Sequence, residues 1–238
     1  MYSLFETSLR KMNIEATLVA LALVLAGIAG LLYADAAATP TLNQTINAGT
    51  LATDIRDASR VTVGSPSVAM SAATLSFSCL TGGSRPSGTL GSDSQRVYVD
   101  NPDNADNGWT LAIAATSGAT AVWTDGGSNT YDFNDAGGSG CTDGADADLV
   151  GGQMTIDPAS ATTTTDYSGS STTGITLLGS ATAFVQATTD SITLVTAANT
   201  SADIWRGYFK SYTIYNTIPA EQAAAAYTLG FTITVSAS

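Results

Sequence analysis

Leu229-Gly-Phe231-Thr-Ile233-Thr-Val235-Ser236, near the end of the 238-residue chain, puts a large apolar residue at every second position, with Gly, Thr or Ser between them. Successive side chains of an extended strand point to opposite faces, so this period of two describes a strand with one buried and one wet side. The pattern recurs upstream. Val97 and Val99 bracket Tyr98, and Trp109, Leu111 and Ile113 alternate with Thr110, Ala112 and Ala114. The turn pairs Asn107-Gly108 and Asp125-Gly126 sit between such runs. Extended along the chain, the reading predicts strands over 42–55, 61–70, 73–80, 95–100, 109–116, 120–125, 153–158, 174–188, 191–197, 207–218 and 226–236. Only Pro219–Ala226 has a helical composition, for a helix or a single turn, and the low-complexity stretch Ala161–Thr173 reads as an exposed loop. Many short strands with frequent turns and no sustained helical period imply an all-β fold. The expected fold is an antiparallel Ig-like or jelly-roll β-sandwich, following an N-terminal hydrophobic signal helix.

Composition narrows the function. Hydrophobic residues make up 44% of the chain and charged residues 12%, which is enough apolar material for a core and too little charge for a disordered polyelectrolyte. The net charge is −12 and the isoelectric point near 4.1, a surface that repels nucleic-acid phosphates and stays dispersed in water. Histidine is absent, and glutamate occurs only at Glu6, Glu15 and Glu221. That removes the usual general base, the usual zinc ligand and the middle member of a Ser-His-Asp triad. The expectation is a protein that is not an enzyme.

The first 36 residues read as a leader. Arg10 and Lys11 precede the uncharged run Ala16–Tyr33, which ends in Ala34-Asp35-Ala36. A basic start, an apolar middle and a small-residue exit describe a secretory signal peptide. An uncleaved anchor is the rival reading, since an uncharged stretch of eighteen residues sits at the short end of what spans a bilayer. In that case the leader would be the chain's only membrane contact. Cleavage after Ala36 leaves 37–238 as a single β-sandwich domain with 17 acidic and 6 basic residues and a net charge of −11.

Export bears on the two cysteines. Cys79 closes the apolar run Leu75-Ser-Phe77-Ser-Cys79, and Cys141 lies in a Gly/Asp loop. In an oxidising compartment such a pair is expected to be a disulfide that tethers the acidic loop region 125–152 to the sheet. Within that region Asp143, Asp146 and Asp148 crowd a Gly-rich stretch, and Asp100, Asp103 and Asp106 form a second group before a strand. Closely spaced carboxylates are the ligands Ca2+ takes, so calcium is the one cofactor the sequence suggests. The alternative is that both groups are solvated turns, for which Asp, Asn and Gly are the usual residues. Trp109, Trp123, Trp205, Tyr208, Phe209, Tyr212 and Tyr215 would make a carbohydrate-binding face if exposed, or core and cross-strand pairs if not.

Three segments carry a resemblance: Asn47-Ala-Gly-Thr-Leu51, Gly108-Trp-Thr-Leu-Ala-Ile-Ala-Ala-Thr116, and Ile218-Pro-Ala220 leading into Tyr227-Thr-Leu-Gly-Phe-Thr-Ile-Thr-Val235. Together they resemble WxL-type surface domains of bacterial cell walls. The resemblance implies a secreted β-sandwich displayed at the cell surface, a non-catalytic structural or adhesive protein whose partner is the cell envelope. Thr45-Ile-Asn-Ala-Gly-Thr-Leu51, soon after an apolar leader, is also similar to the start of camelysin/TasA-like fibre subunits. That second resemblance implies self-assembling filaments in which Leu42, Ile46 and Leu51 lie on a strand donated to an identical subunit.

Overall fold

A strand that buries one side needs a second layer to bury it against, and the computed structural model of the chain supplies one. It describes residues 13–25, 42–103, 105, 107–144, 148–201 and 204–238. The chain divides into two units, Met1–Ile46 and Asn47–Ser238. In the first, residues 13–25 are α-helical with exposed side chains, and no helix of the described residues is long and apolar enough to cross a membrane. The expected cleavage site at Ala36 lies outside the described residues.

The second unit is all-β, an antiparallel sandwich. Its described strands are β1 (Ala52–Arg56), β2 (Ser87–Leu90), β3 (Arg96–Asn101), β4 (Trp109–Ala115), β5 (Val122–Thr124), β6 (Thr130–Asp132) and β7 (Gln153–Asp157). They continue with β8 (Thr162–Thr165), β9 (Ile175–Leu177), β10 (Thr182–Ala183), β11 (Ser191–Ala197), β12 (Trp205–Lys210), β13 (Tyr212–Thr217) and β14 (Phe231–Ala237). Three four-stranded sheets have the orders β1-β3-β12-β8, β10-β7-β13-β2 and β14-β4-β11-β9, and β5-β6 is a hairpin.

The first two sheets share their chain passes. β2 and β3, β7 and β8, and β12 and β13 each follow one another along a single pass, and all three passes break at the same level. Ser211 interrupts the third with φ +71°, and its N–H donates to the Gly91 carbonyl (2.9 Å). Gly91 itself has φ +78°, and a Cβ there would stand 2.8 Å from the Lys210 Cα, so this corner needs glycine. The Ser160 hydroxyl closes the third side. Its proton faces the carbonyls of Asp157 (2.7 Å) and Ser211 (3.0 Å), and its oxygen accepts the Thr213 N–H (2.8 Å).

The third sheet covers both halves. Its strand β4 buries every second residue, and Trp109 meets Trp205 and Phe209 of β12 with ring centroids 5.3 and 6.3 Å apart. Phe231 of β14 completes a second aromatic group with Phe133 and Phe184. The ends of this unit meet at one pole. The Gly49 N–H donates to the Pro102 carbonyl and the Ser238 N–H to the Gly108 carbonyl, both at 2.9 Å.

Several expectations change: the strand predicted over 174–188 is two short ones, β9 and β10, and the one predicted over 42–55 begins only at Ala52. The stretch 61–80 contains no named strand, only isolated bridges at Thr62, Met70 and Leu80, because Gly64-Ser-Pro66-Ser67 breaks any ladder. Thr162–Thr165, expected as loop, is β8, and the predicted strand 207–218 is split at Ser211. Ala220 and Glu221 form a turn without a helix.

Candidate functional site

The sandwich is unevenly closed. β14 pairs β4 without a register break from Phe231↔Ala115 to Ala237↔Trp109, and its other edge has no strand partner among the described residues. The remaining sheet edges are protected. β1 is flanked by Thr62 and Val63, β2 by Met70 and Ser71, and β8, β9 and β10 are four residues long or less. β14 is seven residues long and carries no charge or proline, the devices that usually block an edge from pairing.

Beside this edge a cavity of about 600 Å³ opens between β14 on one side and β1 and β2 on the other, with β1 the strand nearest to β14 across it. Its floor is apolar, with Leu90, Ile113, Met154 and Ile214, and its β14 wall is Phe231 and Ile233. Asp54 is the single charged lining residue described. Val68 and Met70, from an irregular strap over residues 64–80, form part of the other wall and pack beside Gly88. A concave, largely apolar wall next to a backbone edge without a strand partner suits an extended segment carrying alternate apolar side chains.

The segment expected to act as a donor divides in two. Leu51 is half-buried against the unit's own core, whereas Leu42 and Ile46 are 89% and 88% exposed in a stretch without regular structure.

Cys79 and Cys141 are joined in a disulfide, with Cα atoms 5.5 Å apart, tying the end of the strap to the acidic loop. This loop lies beside the ends of β7 and β13 farthest from the first sheet, near the Asn134↔Gln153 and Leu80↔Ile218 bridges. The described carboxylates serve as turn acceptors there. Asp143 accepts the Leu149 N–H (3.2 Å), Asp148 the Val150 N–H (2.8 Å), and buried Asp135 the Gly144 N–H (3.1 Å). In the other group Asp103 accepts the Ala105 N–H, while Asp100 binds Arg56 at 2.7 Å. Asp106 and Asp146 lie outside the described residues. Among the described residues no three carboxylates converge as a metal site, so the calcium expectation gains no support from them. Trp109, Trp205, Phe209 and Tyr212 are core residues, and Trp123, Tyr208 and Tyr215 are half-buried, the alternative of core and cross-strand positions.

The sequence reading missed the outer face of the first sheet. The register β1-β3-β12-β8 places Asp54, Tyr98, Tyr208 and Thr164 in one cross-strand row. The tyrosine rings lie 5.2 Å apart, Arg96 stacks over Tyr208 (4.5 Å) and Arg56 over Tyr98 (5.4 Å). Arg60, at φ +68°, arches over the face to pair with Asp166. Lys210 binds Asp93 at 2.7 Å, and this contact holds the Asp93 carboxyl below its usual range. The alternations Arg96-Val-Tyr98 and Arg206-Gly-Tyr208-Phe-Lys210 were the available signal, since period two puts each cation and tyrosine on one side.

No family model, curated protein or solved structure matches the chain.

Proposed function

We propose that this chain is a non-catalytic structural protein of the cell surface, exported through its leader. Of the ways such a protein can work, self-assembly by strand donation is favoured over wall adhesion or glycan binding. The observation that carries this reading is the β14 edge, which has no strand partner among the described residues and borders a largely apolar cavity, in a chain whose Leu42 and Ile46 are exposed on an uncharged stretch without regular structure. Backbone pairing along β14 would supply affinity, and side chains at every second position of the incoming arm would fill the cavity. The proposed donor is the stretch from Leu42 to Ile46; Leu51, packed on its own core, anchors the arm.

The test is negative-stain imaging and sedimentation of the purified chain beside the double variant Leu42→Asp/Ile46→Asp, which leaves the sandwich core untouched. Filaments from the parent and none from the variant are expected. A parent that stays monomeric at high concentration, or a variant that polymerises as well as the parent, would sink strand donation. The surface-protein reading would then rest on adhesion alone.

A further inference from the structure

The groove beside β14 has a direction. Two hydrogen bonds frame the β14–β4 ladder, from the Thr116 N–H to the Gly230 carbonyl and from the Ser238 N–H to the Gly108 carbonyl, both at 2.9 Å. Bonded and non-bonded pairs alternate along an antiparallel ladder, so the even-numbered residues of this run bond to β4. The N–H and C=O groups of Phe231, Ile233 and Val235 therefore point the other way, to the open edge. Their side chains are half-buried, while Thr232, Thr234 and Ser236 are exposed. Across the cavity β1 offers less. Its outer edge is taken where the Val63 N–H donates to the Ile55 carbonyl and the Asp57 N–H to the Val61 carbonyl, both at 2.9 Å. An incoming strand takes its polarity from β14.

The chain's own arm can lie along that edge in one sense only. β14 runs toward the pole where Ser238 meets Gly108, and the arm runs into the same pole, because Gly49 is held there by Pro102. The hold is close: a Cβ on Gly49 would stand 2.4 Å from the Pro102 Cγ. An arm lying antiparallel to β14, with Leu42 beside Val235, would put Ile46 beside Phe231, about 20 Å of strand from the pole. The three peptide steps from Ile46 to Gly49 span at most about 11 Å. Insertion of the arm into its own groove must therefore be parallel, and it would bury Leu42 and Ile46. A tether gives that arrangement a high effective concentration, yet the two side chains are 89% and 88% exposed. Every strand pairing among the described residues is antiparallel, the sense that is more stable per residue.

We propose that the arm enters antiparallel to β14, and so comes from a second copy standing at the end of the groove remote from the pole. This inference rests on strand donation and gives it a direction. Leu42 and Ile46 are spaced as Val235 and Phe231 are, so one register seats both side chains on the cavity side with Gln44 beside Ile233. The cavity runs on past the start of β14 to Leu229, Tyr227 and Trp123, which leaves the donor a way out toward its own sandwich. The pole of one copy then meets the far end of the next, a contact that repeats without closing. Parallel entry would bring two poles together and permit a closed, reciprocal pair.

The experiment is disulfide trapping on the full chain, with its Cys79–Cys141 bond intact. Asn43→Cys and Thr45→Cys on the arm are each mixed with Thr232→Cys, Thr234→Cys or Ser236→Cys on β14, all exposed positions, and mildly oxidised. Facing residues of such non-bonded pairs lie about 4.5 Å apart at Cα, within reach of a disulfide. Linked pairs are read on non-reducing gels with one partner tagged. The best partner is expected to fall in number as the arm position rises, Thr234 for Asn43 and Thr232 for Thr45, with loss of linkage in the swapped combinations. A best partner that rises instead would overturn the polarity and leave strand donation standing. A double variant Thr45→Cys/Thr232→Cys that bonds within one monomer would overturn the second copy. Linkage at no pair, or at all pairs alike, would also overturn the inference; strand donation would survive that result only if Leu42→Asp/Ile46→Asp still abolished filaments.

Discussion

Ser160 occupies a position no propensity scale would single out, yet its one hydroxyl ties the end of β7 to the Ser211 break and the start of β13. It faces the carbonyls of Asp157 and Ser211 and accepts the Thr213 N–H. Ser160→Ala leaves these half-buried groups without their partner, and such a loss costs up to about 1–3 kcal/mol. Urea unfolding should show that drop, with Ser160→Thr recovering most of it; an unchanged midpoint for the alanine variant would mean water replaces the hydroxyl. Residues of this kind are poorly legible in a sequence. Trp109 could be read as strand because its neighbours alternate, whereas the place of Ser160 depends on two segments, 157–160 and 211–213, that only the fold brings together.

Among the elements, legibility followed partnership. β3, β4 and β14 each pack one face on the core, and their period of two was visible in the chain. β8 is four threonines, whose composition carries no alternation, and it is a strand because β12 offers it an edge. The strap over 64–80 failed in the other direction, since Leu75 and Phe77 look like strand interior yet are 61% and 90% exposed. The strap has few backbone bonds, chiefly Ser71 with Ser87, Leu80 with Ile218, and Glu221 with Ser76, so its anchor is the Cys79–Cys141 bond. Closing a loop of 62 residues removes about 4 kcal/mol of chain entropy from the unfolded state. Reduction with a dithiol, or Cys79→Ala/Cys141→Ala, should lower stability by up to that amount. Amide exchange should rise first in 64–80 and along β2, with β4 and β11 protected. Uniform acceleration across all sheets would show that the bond staples the whole sandwich and not the strap. The charged outer face of the first sheet lay beyond reach for a related reason: its members are spread from Asp54 to Lys210 and meet only through strand order.

At the scale of the whole molecule, the missing histidine sets the response to pH. No side chain ordinarily titrates between pH 5 and 8 here, and the two cysteines are bonded. Hydrogen bonds from Lys210 and Asn129 hold Asp93 and Asp125 below the usual carboxylate range. A depressed folded value means stability present above the unfolded value of about 3.9 and lost as pH falls through the folded one. At the other extreme, burial raises the Tyr131 and Tyr212 phenols, so their contribution is complete below about pH 10 and fades above it. Thermal unfolding should give a plateau from pH 5 to 8 with shoulders falling on the acid and alkaline sides. A step inside the plateau would reveal a strongly shifted carboxylate among the buried acids.

The pole where Gly49 meets Pro102 and Ser238 meets Gly108 has a mechanical consequence. A force applied across the two ends of the sandwich acts sideways on β1 and β14, not along them. It would open Ala52 from Asp100 and Ala237 from Trp109 before reaching the next pair, loading the ladder one rung at a time. Pulled through its own chain ends, the unit would unzip under light tension. Pulled through partners seated on its sheets, it would carry the load on many hydrogen bonds at once.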